Sequence, residues 1–195
     1  MAEIIPRWEW RSFGTMVFGE SEKLVREHGQ VHVRRSGEVH VLSQRAMNST
    51  EVRDNLVDIK TLKAVNEDGL GRWNPILETA LPLGPDVLAQ SFAAFGVPLP
   101  ALARPVYSLA QCLKERIRPQ PELRAVRAAQ ERHGFLIEGC IVEIAEVTFD
   151  GRPFRTTAVE QEDPRLVIET VRVLRRDGYE NVNCLRTMMS AVGMA

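Results

Sequence analysis

Polar and apolar residues alternate along several stretches of the chain, beginning with Arg7-Trp8-Glu9-Trp10-Arg11. Because the side chains of a strand alternate between its two faces, Arg7, Glu9 and Arg11 share one face and the tryptophans share the other. We therefore predict a strand over residues 3–13. This stretch alone leaves two interpretations open. It is either an edge strand with a solvated charged face or a strand whose charged face lines a closed, wet interior that holds an anion.

The same alternation predicts two β-hairpins in the first third of the chain. Residues 30–45 are predicted to fold back on themselves around the tight turn Ser36-Gly37. A second hairpin is predicted over residues 51–62, and its second arm places Asp58 and Lys60 on one face. Both hairpins favour a largely antiparallel sheet.

Helical spacing and helix breakers dominate the middle of the chain. Residues 66–83 contain several glycines and prolines and are predicted to be a connection. Helices are predicted over residues 85–95 and 106–116, so a mostly helical insert occupies about 84–118. A short amphipathic helix is also predicted near the N-terminus, over residues 20–28.

The second half of the chain returns to strand-like patterns. Residues 123–132 fit either a helix or a strand that places Arg124 and Arg132 on one face. Residues 135–149 are rich in β-branched residues and are followed by the hairpin turn Asp150-Gly151. We therefore predict a C-terminal antiparallel hairpin.

The return strand of that hairpin leads into a predicted helix. Residues 154–162 form the predicted strand, with Glu160 and Glu162 on one face. Asp163-Pro164 then combines an N-cap residue with a proline at the first helical position, and Gly178 is the predicted helix end.

Composition narrows the class of protein. The 195 residues suit one domain covering residues 1–195, and the net charge of -1 does not favour nucleic-acid or membrane binding. Three scattered cysteines, no signal peptide and no long apolar run predict a cytoplasmic protein. A homodimer remains open. The sequence contains no phosphate-binding P-loop, dinucleotide-binding turn or zinc-protease helix.

Charged residues recur on one face of several predicted strands, which is unusual for a small antiparallel domain. The pattern favours a barrel with a polar interior, and unpaired charges in such an interior are costly. Arginine and lysine would bind phosphate oxygens, and clustered carboxylates would bind a hard divalent cation. The charged faces are Arg7/Glu9/Arg11, Asp58/Lys60, Arg124/Arg132, Glu138/Glu146 and Glu160/Glu162.

The order of these stretches resembles the CYTH domain of the triphosphate tunnel metalloenzyme superfamily. That family has an N-terminal E-x-E-x-K strand, then basic strands, an acidic strand and a C-terminal E-x-E strand. The matching pieces here are Arg7–Arg11, Arg53 with Asp58-Ile59-Lys60, Gln130 with Arg132, residues 142–146, and Glu160-Gln161-Glu162. The resemblance covers about residues 3–65 and 123–190.

The resemblance implies an α+β fold with an eight-stranded antiparallel β-barrel, flanking helices and the central helical insert. It also implies a tunnel that binds a triphosphate or polyphosphate ligand together with Mg²⁺ or Mn²⁺. By this resemblance, Lys60 and Arg132 are the candidate catalytic residues, and Arg7, Arg11, Arg53, Lys60 and Arg132 are the candidate substrate-binding residues. The candidate metal ligands are Glu9, Glu146, Glu160 and Glu162.

The sequence departs from the family pattern at three places. Arg7 stands where the family has its first Glu, Arg11 stands in place of the terminal Lys, and Gln130 stands where a Lys is often found. Arg7 adds positive charge and so favours anion binding over metal-assisted cleavage. Glu143 and Glu146 lie on opposite faces of one predicted strand, so at most one faces the interior unless a bulge intervenes. Two functions follow as expectations: a metal-dependent phosphohydrolase acting on triphosphate-containing compounds, or a non-catalytic polyphosphate- or nucleotide-binding module. A structural protein with a polar interior is the third.

Overall fold

The computed structural model describes residues 6–14 and 19–194, and its centre is a closed barrel of eight antiparallel strands. In chain order the strands are β1 (Trp8–Gly14), β2 (Gln30–Ser43), β3 (Ser49–Arg53), β4 (Leu56–Val65), β5 (Gly71–Ala80), β6 (Leu123–Ile137), β7 (Cys140–Phe149) and β8 (Arg152–Gln161). Around the barrel they follow the order β1-β5-β4-β3-β2-β6-β7-β8. The first residues of the strand predicted over 3–13 lie outside the described residues.

Five helices flank the barrel in the described ranges. They are α1 (Gly19–Glu27), α2 (Pro85–Phe95), α3 (Leu109–Cys112), α4 (Pro164–Val173) and α5 (Cys184–Ala191), and a π turn over Leu113–Ile117 extends α3. The connection between β5 and β6 contains α2 and α3, so the predicted α+β barrel with a helical insert is confirmed. None of these helices combines the length and apolarity that crossing a bilayer requires.

The barrel carries much of its apolar core on its outside. Trp10 of β1 is 4% exposed and packs with Val159 of β8 and Val171 of α4. On the opposite side, α2 covers Val57 and Ile59 of β4. Because successive side chains of a strand point to opposite faces, burying these residues under helices turns the charged residues inward.

The last helix is different, because it packs on inward-facing residues. Leu185 and Met188 of α5 are 4% and 1% exposed and cluster with Ala128 of β6 and Phe149 of β7. These four side chains also line the cavity inside the barrel. Thus α5 occupies part of the interior and narrows it.

The hairpin predicted at Ser36-Gly37 is wrong, because β2 runs through this dipeptide without a turn. Gly37 has no positive φ, and Ser36 and Gly37 pair with Gln130 and Ala129 of β6. Pairing with the 15-residue strand β6 is a long-range interaction that overrides the local turn preference.

The connection predicted over residues 66–83 is also wrong in part, because it contains β5. Pro75 is tolerated there for two reasons. It lies at a register shift opposite Ile59 and Lys60, and within the described ranges β1 pairs with β5 only at Gly71 and Arg72. A proline, which has no N–H group to donate, is tolerated more readily at such an irregular position of a strand.

The structure also decides the remaining local predictions made from the sequence. Residues 123–132 are strand, and Asp54-Asn55 forms the predicted turn with φ values of 50° and 64°. Asp163 caps α4 through the amide of Arg165 at 2.9 Å. The predicted strand over 135–149 is instead interrupted by a turn at Glu138-Gly139, where both φ values are positive.

Candidate functional site

The interior of the barrel holds a cavity of about 460 Å³, which is within the usual size range of small-molecule sites. Of the described residues, six carboxylates and five basic side chains line it. The carboxylates are Glu9, Glu38, Glu51, Asp58, Glu78 and Glu160, and the bases are Arg7, Arg11, Arg53, Lys60 and Arg132. The two signs nearly balance, so the tunnel is charged but close to neutral.

One acidic group surrounds Arg11. Glu9 and Glu160 are directly opposed on β1 and β8, and Glu143 projects from β7 beside them. The Arg11 guanidinium donates to both oxygens of Glu9, at 3.1 and 3.2 Å. It also lies 3.6 Å from Glu143 and 3.9 Å from Glu160. One cation therefore faces three carboxylates.

The proton affinities in this group reflect that imbalance. Burial, followed by the neighbouring Glu9 carboxylate, raises the pKa of Glu160 to about 7. Burial opposes ionisation of Glu9 as well, but Arg11 outweighs it and lowers the Glu9 pKa. The pair therefore retains a proton on Glu160 close to neutral pH. A divalent cation would relieve the same repulsion.

A second charged group lies on β2 and β3. Glu38 accepts hydrogen bonds from Arg132 at 3.0 Å and from Arg53 at 3.3 Å, and it lies 3.2 Å from His40 Nε2. Arg53 also contacts Glu51 at 3.1 Å. Burial opposes ionisation of Glu38, but the His40 hydrogen bond and the Arg132 charge lower its pKa to about 2.

Arg132 connects the two groups, because its other terminal nitrogen lies 3.9 Å from Glu143. Lys60 of β4 also reaches the cavity, where it pairs with Asp58 at 3.0 Å and is 44% exposed. Arg7 precedes β1 and is an exposed member of the lining. The basic residues predicted from the sequence are therefore brought together around one cavity.

The predicted acidic residues divide into two sets. Glu9 and Glu160 lie inside the barrel. Glu146 instead points outward, with its side chain 66% exposed and paired with Arg155, and Glu162 lies exposed beyond the end of β8. This placement corrects the sequence prediction: Glu143 faces the interior in place of Glu146. The reason is that Val142 and Ile144, which share a face of β7 with Glu146, pack with Val167 and Val171 of α4 on the outside of the barrel.

Sequence reasoning missed several lining residues as site candidates. The alternation in β2 already placed Glu38 and His40 on one face, but the expected turn at Ser36-Gly37 separated them from the basic strand. Glu51 lies in the second predicted hairpin, directly opposite Asp58, but was not recognised as a site residue. Glu78 was hidden because its strand was interpreted as a connection.

Comparisons with known proteins agree at the level of the fold. No family model matches the sequence, and no curated protein does. Among solved structures, one similar chain is a candidate adenylyl cyclase from Hippeastrum with a dominant triphosphatase activity. It aligns with a TM-score of 0.54 and 10% identity, covering 95% of this chain and 96% of that one.

A candidate adenylate cyclase from Bacillus halodurans aligns with a TM-score of 0.53 at 11% identity, covering 94% and 98% of the two chains. A protein from Pyrococcus horikoshii aligns with a TM-score of 0.50 at 11% identity, covering 91% and 98%. The fold is that of the triphosphate tunnel proteins. The resemblance seen in the sequence is thereby confirmed for the fold.

Proposed function

We propose that this protein is a divalent-metal-dependent phosphohydrolase that takes a triphosphate-containing compound into its tunnel. Inorganic, nucleoside and thiamine triphosphates are the candidate substrates. The observation that carries the proposal is one cavity lined by the carboxylates of Glu9 and Glu160 together with Lys60 and Arg132. Glu143 lies beside it, 3.6 Å from Arg11 and 3.9 Å from Arg132. The triphosphatase activity of the Hippeastrum protein, which has the same fold, supports it.

The three carboxylates of the Arg11 group fit a hard divalent cation. Mg²⁺ and Mn²⁺ prefer oxygen ligands, and Glu9, Glu143 and Glu160 offer only oxygen. The proton that Glu160 retains near neutral pH marks a place where negative charge is in excess. When bound, the ion would supply polarisation of the phosphoryl group and a position for the attacking water.

The basic residues would bind and orient the phosphate chain. Lys60 and Arg132 are proposed to contact the phosphoryl group that is cleaved, where they would stabilise charge that develops in the transition state. Arg11 and Arg53 would hold the other phosphate oxygens, and Arg7 would contact the chain at the edge of the cavity. Each arginine inside the tunnel now pairs with a carboxylate, so binding requires an exchange of partners.

Phosphate release from tripolyphosphate and from nucleoside triphosphates, with Mg²⁺ or Mn²⁺, tests this function. Loss of one transition-state contact costs about 10²–10³-fold in kcat, so we expect losses of this order for Lys60→Met. Glu160→Gln should lose turnover because it removes a metal ligand. Glu146→Gln is the matched control and should retain full activity, because Glu146 lies outside the barrel. No turnover by the wild type above Glu160→Gln would refute hydrolysis.

A non-catalytic polyphosphate- or nucleotide-binding module is the second candidate. The observation that favours it is Arg11, whose guanidinium already neutralises Glu9 with two hydrogen bonds and thus competes with a metal ion. Arg7, which precedes β1, adds a further positive charge to the lining of the same cavity. This candidate requires salt-sensitive binding of tripolyphosphate in the presence of EDTA. Absence of such binding in calorimetry eliminates it.

A further inference from the structure

The tip of the hairpin formed by β6 and β7 carries two exposed apolar side chains at one end of the barrel. Leu136 and Ile141 are directly opposed there, and they are 61% and 38% exposed. Leu136 shares a strand face with Arg132 and Ile141 shares one with Glu143, so both point to the inside of the barrel. Helix α5 packs at the other end of β7, on Phe149. Scattered exposed apolar residues are ordinary, but phosphate binding does not explain an opposed pair at the lip of a charged cavity.

The outer face of the same hairpin is packed against the rest of the protein. Phe135, Ile137 and Val142 are 3%, 1% and 0% exposed and belong to the apolar cluster that includes residues of α1 and α4. The carbonyl of Gly139, in the turn, accepts a hydrogen bond from the side chain of Gln161. The hairpin therefore holds its exposed pair in place, and the exposure does not come from a frayed tip.

One row of directly opposed residues joins the apolar pair to the acidic group. Ile141 lies opposite Glu160 on β8, and Glu160 lies opposite Glu9 on β1. Neighbouring strands are about 4.8 Å apart, so the apolar pair begins one strand away from the proposed metal ligands. Along β6, Leu136 follows Arg132 by roughly 13 Å of strand. A ligand whose phosphates contact Arg132 would therefore extend its other end onto the apolar pair.

His32 adds an aromatic ring to this lip. It pairs with Gly134 of β6, which in turn pairs with Glu143 of β7. A Cβ atom on Gly134 would lie 2.2 Å from Cε1 of His32, so the imidazole ring occupies the space that a side chain at this position would need. The ring therefore lies against the backbone of β6, close to Leu136 and on the same face.

We propose that Leu136, Ile141 and His32 form a subsite for a planar organic ring attached to the triphosphate, so that the substrate is a triphosphate ester of the nucleoside type. This subsite depends on the proposed triphosphate tunnel and selects among its candidate substrates. Inorganic triphosphate has no apolar part and would leave the pair in water. A planar ring would cover both side chains, which is favourable, and its face would stack on the imidazole.

Binding of two ligands that resist hydrolysis tests the subsite without any turnover. They are methylene-bridged tripolyphosphate and the methylene-bridged analogue of ATP, each titrated with Mg²⁺ into the full-length protein by calorimetry. The two ligands differ in charge, so the informative quantity is the change in each affinity on substitution. We expect Leu136→Ser to lower the affinity for the ATP analogue by about tenfold, because apolar contact is lost. The affinity for the tripolyphosphate analogue should be unchanged.

Further variants give a replicate and a matched control. Ile141→Ser and His32→Ala should also weaken the binding of the ATP analogue alone. Val173 is 54% exposed on α4, on the outside of the barrel. Val173→Ser should therefore bind both ligands as the wild type does.

The other outcomes separate the subsite from the proposed hydrolysis. Equal losses for both ligands in Leu136→Ser, or no loss for either, would overturn the subsite and leave the tunnel intact. A change in the oligomeric state of Leu136→Ser in native mass spectrometry would assign the apolar pair to a subunit contact and also overturn it. Wild-type protein that shows the expected binding pattern but releases no phosphate would support the subsite and refute only hydrolysis. Wild-type protein that binds neither ligand would refute both.

Discussion

Glu160 is the residue at which the electrostatics of the tunnel can be measured most directly. Its pKa is about 7 in the folded protein, against an ordinary value of 4.5. Between these values the folded state holds a proton that the unfolded state has released, so this group's contribution to stability falls as pH rises. The Glu160→Gln side chain cannot ionise, so the variant does not lose stability in this way as the pH rises. We expect the metal-free variant to exceed the wild type in stability by about 1–2 kcal/mol at pH 8.

The free energy of unfolding is measured by urea unfolding in EDTA at pH 5 and at pH 8. The difference in this free energy between Glu160→Gln and the wild type should be larger at pH 8 than at pH 5. Glu146→Gln, on the outer face, should show no such growth. A Glu160→Gln protein that is less stable than the wild type at pH 8 would show that Glu160 is ionised and well paired.

Single residues were predictable from the sequence wherever one strand fixed their face. Glu9 and Arg11 share a face because they are two positions apart, and the structure places both in the tunnel. The choice between Glu143 and Glu146 was not fixed in this way. It depended on which face of β7 packs under α4, and the burial of Val142 and Ile144 there is a tertiary contact without a local sequence signal.

At the scale of elements, the difference between a turn and a continuous strand can be tested with two glycines. Gly37 lies in extended backbone within β2, and a Cβ there would meet no atom within 4 Å. Gly151 has a φ of +83° in the turn between β7 and β8. We expect Gly37→Thr to stabilise the protein by about 0.5–1 kcal/mol, because glycine weakens a strand interior. Gly151→Thr should destabilise it by about 1–3 kcal/mol.

Thermal or urea unfolding of the two variants decides the point. Strong destabilisation by Gly37→Thr would mean that the chain turns at Ser36-Gly37 after all. The sequence favoured that turn because small turn-forming residues separate two alternating runs. Only the long strand β6, whose paired residues are 80 or more positions away in sequence, gives β2 a continuous partner, and such pairing leaves no local signature.

At the scale of the whole molecule, the fold was predictable because charge recurred on strand after strand in one order. An ordinary barrel would have placed these residues in water. Here helices α2 and α4 cover the apolar outer faces, and the charged faces enclose a cavity. The role of α5 could not be predicted in this way, because the stretch after Asn181 has a short and irregular pattern. Its packing on Ala128 and Phe149 depends on the closed barrel.

The near-neutral tunnel also predicts that cation and anion bind cooperatively. An anion alone would draw the arginines from their carboxylates and leave those carboxylates unpaired, and a cation alone would do the reverse. When the cation and the anion bind together, the carboxylates and the arginines both have partners. Such coupling is typically about 1–3 kcal/mol, so the anion should bind about 5–150-fold more tightly with the metal ion present.

A tripolyphosphate analogue with methylene bridges avoids hydrolysis during this measurement. We expect three shifts in melting temperature: one with the analogue in EDTA, one with Mn²⁺ alone, and one with the analogue and Mn²⁺ together. The third shift should exceed the sum of the first two. In Glu160→Gln the amount by which the combined shift exceeds that sum should be smaller, because one of the carboxylates that requires the cation is gone. Equal shifts with Mn²⁺ and with EDTA would instead favour the non-catalytic module, in which Arg11 remains the partner of Glu9 and the anion binds without metal.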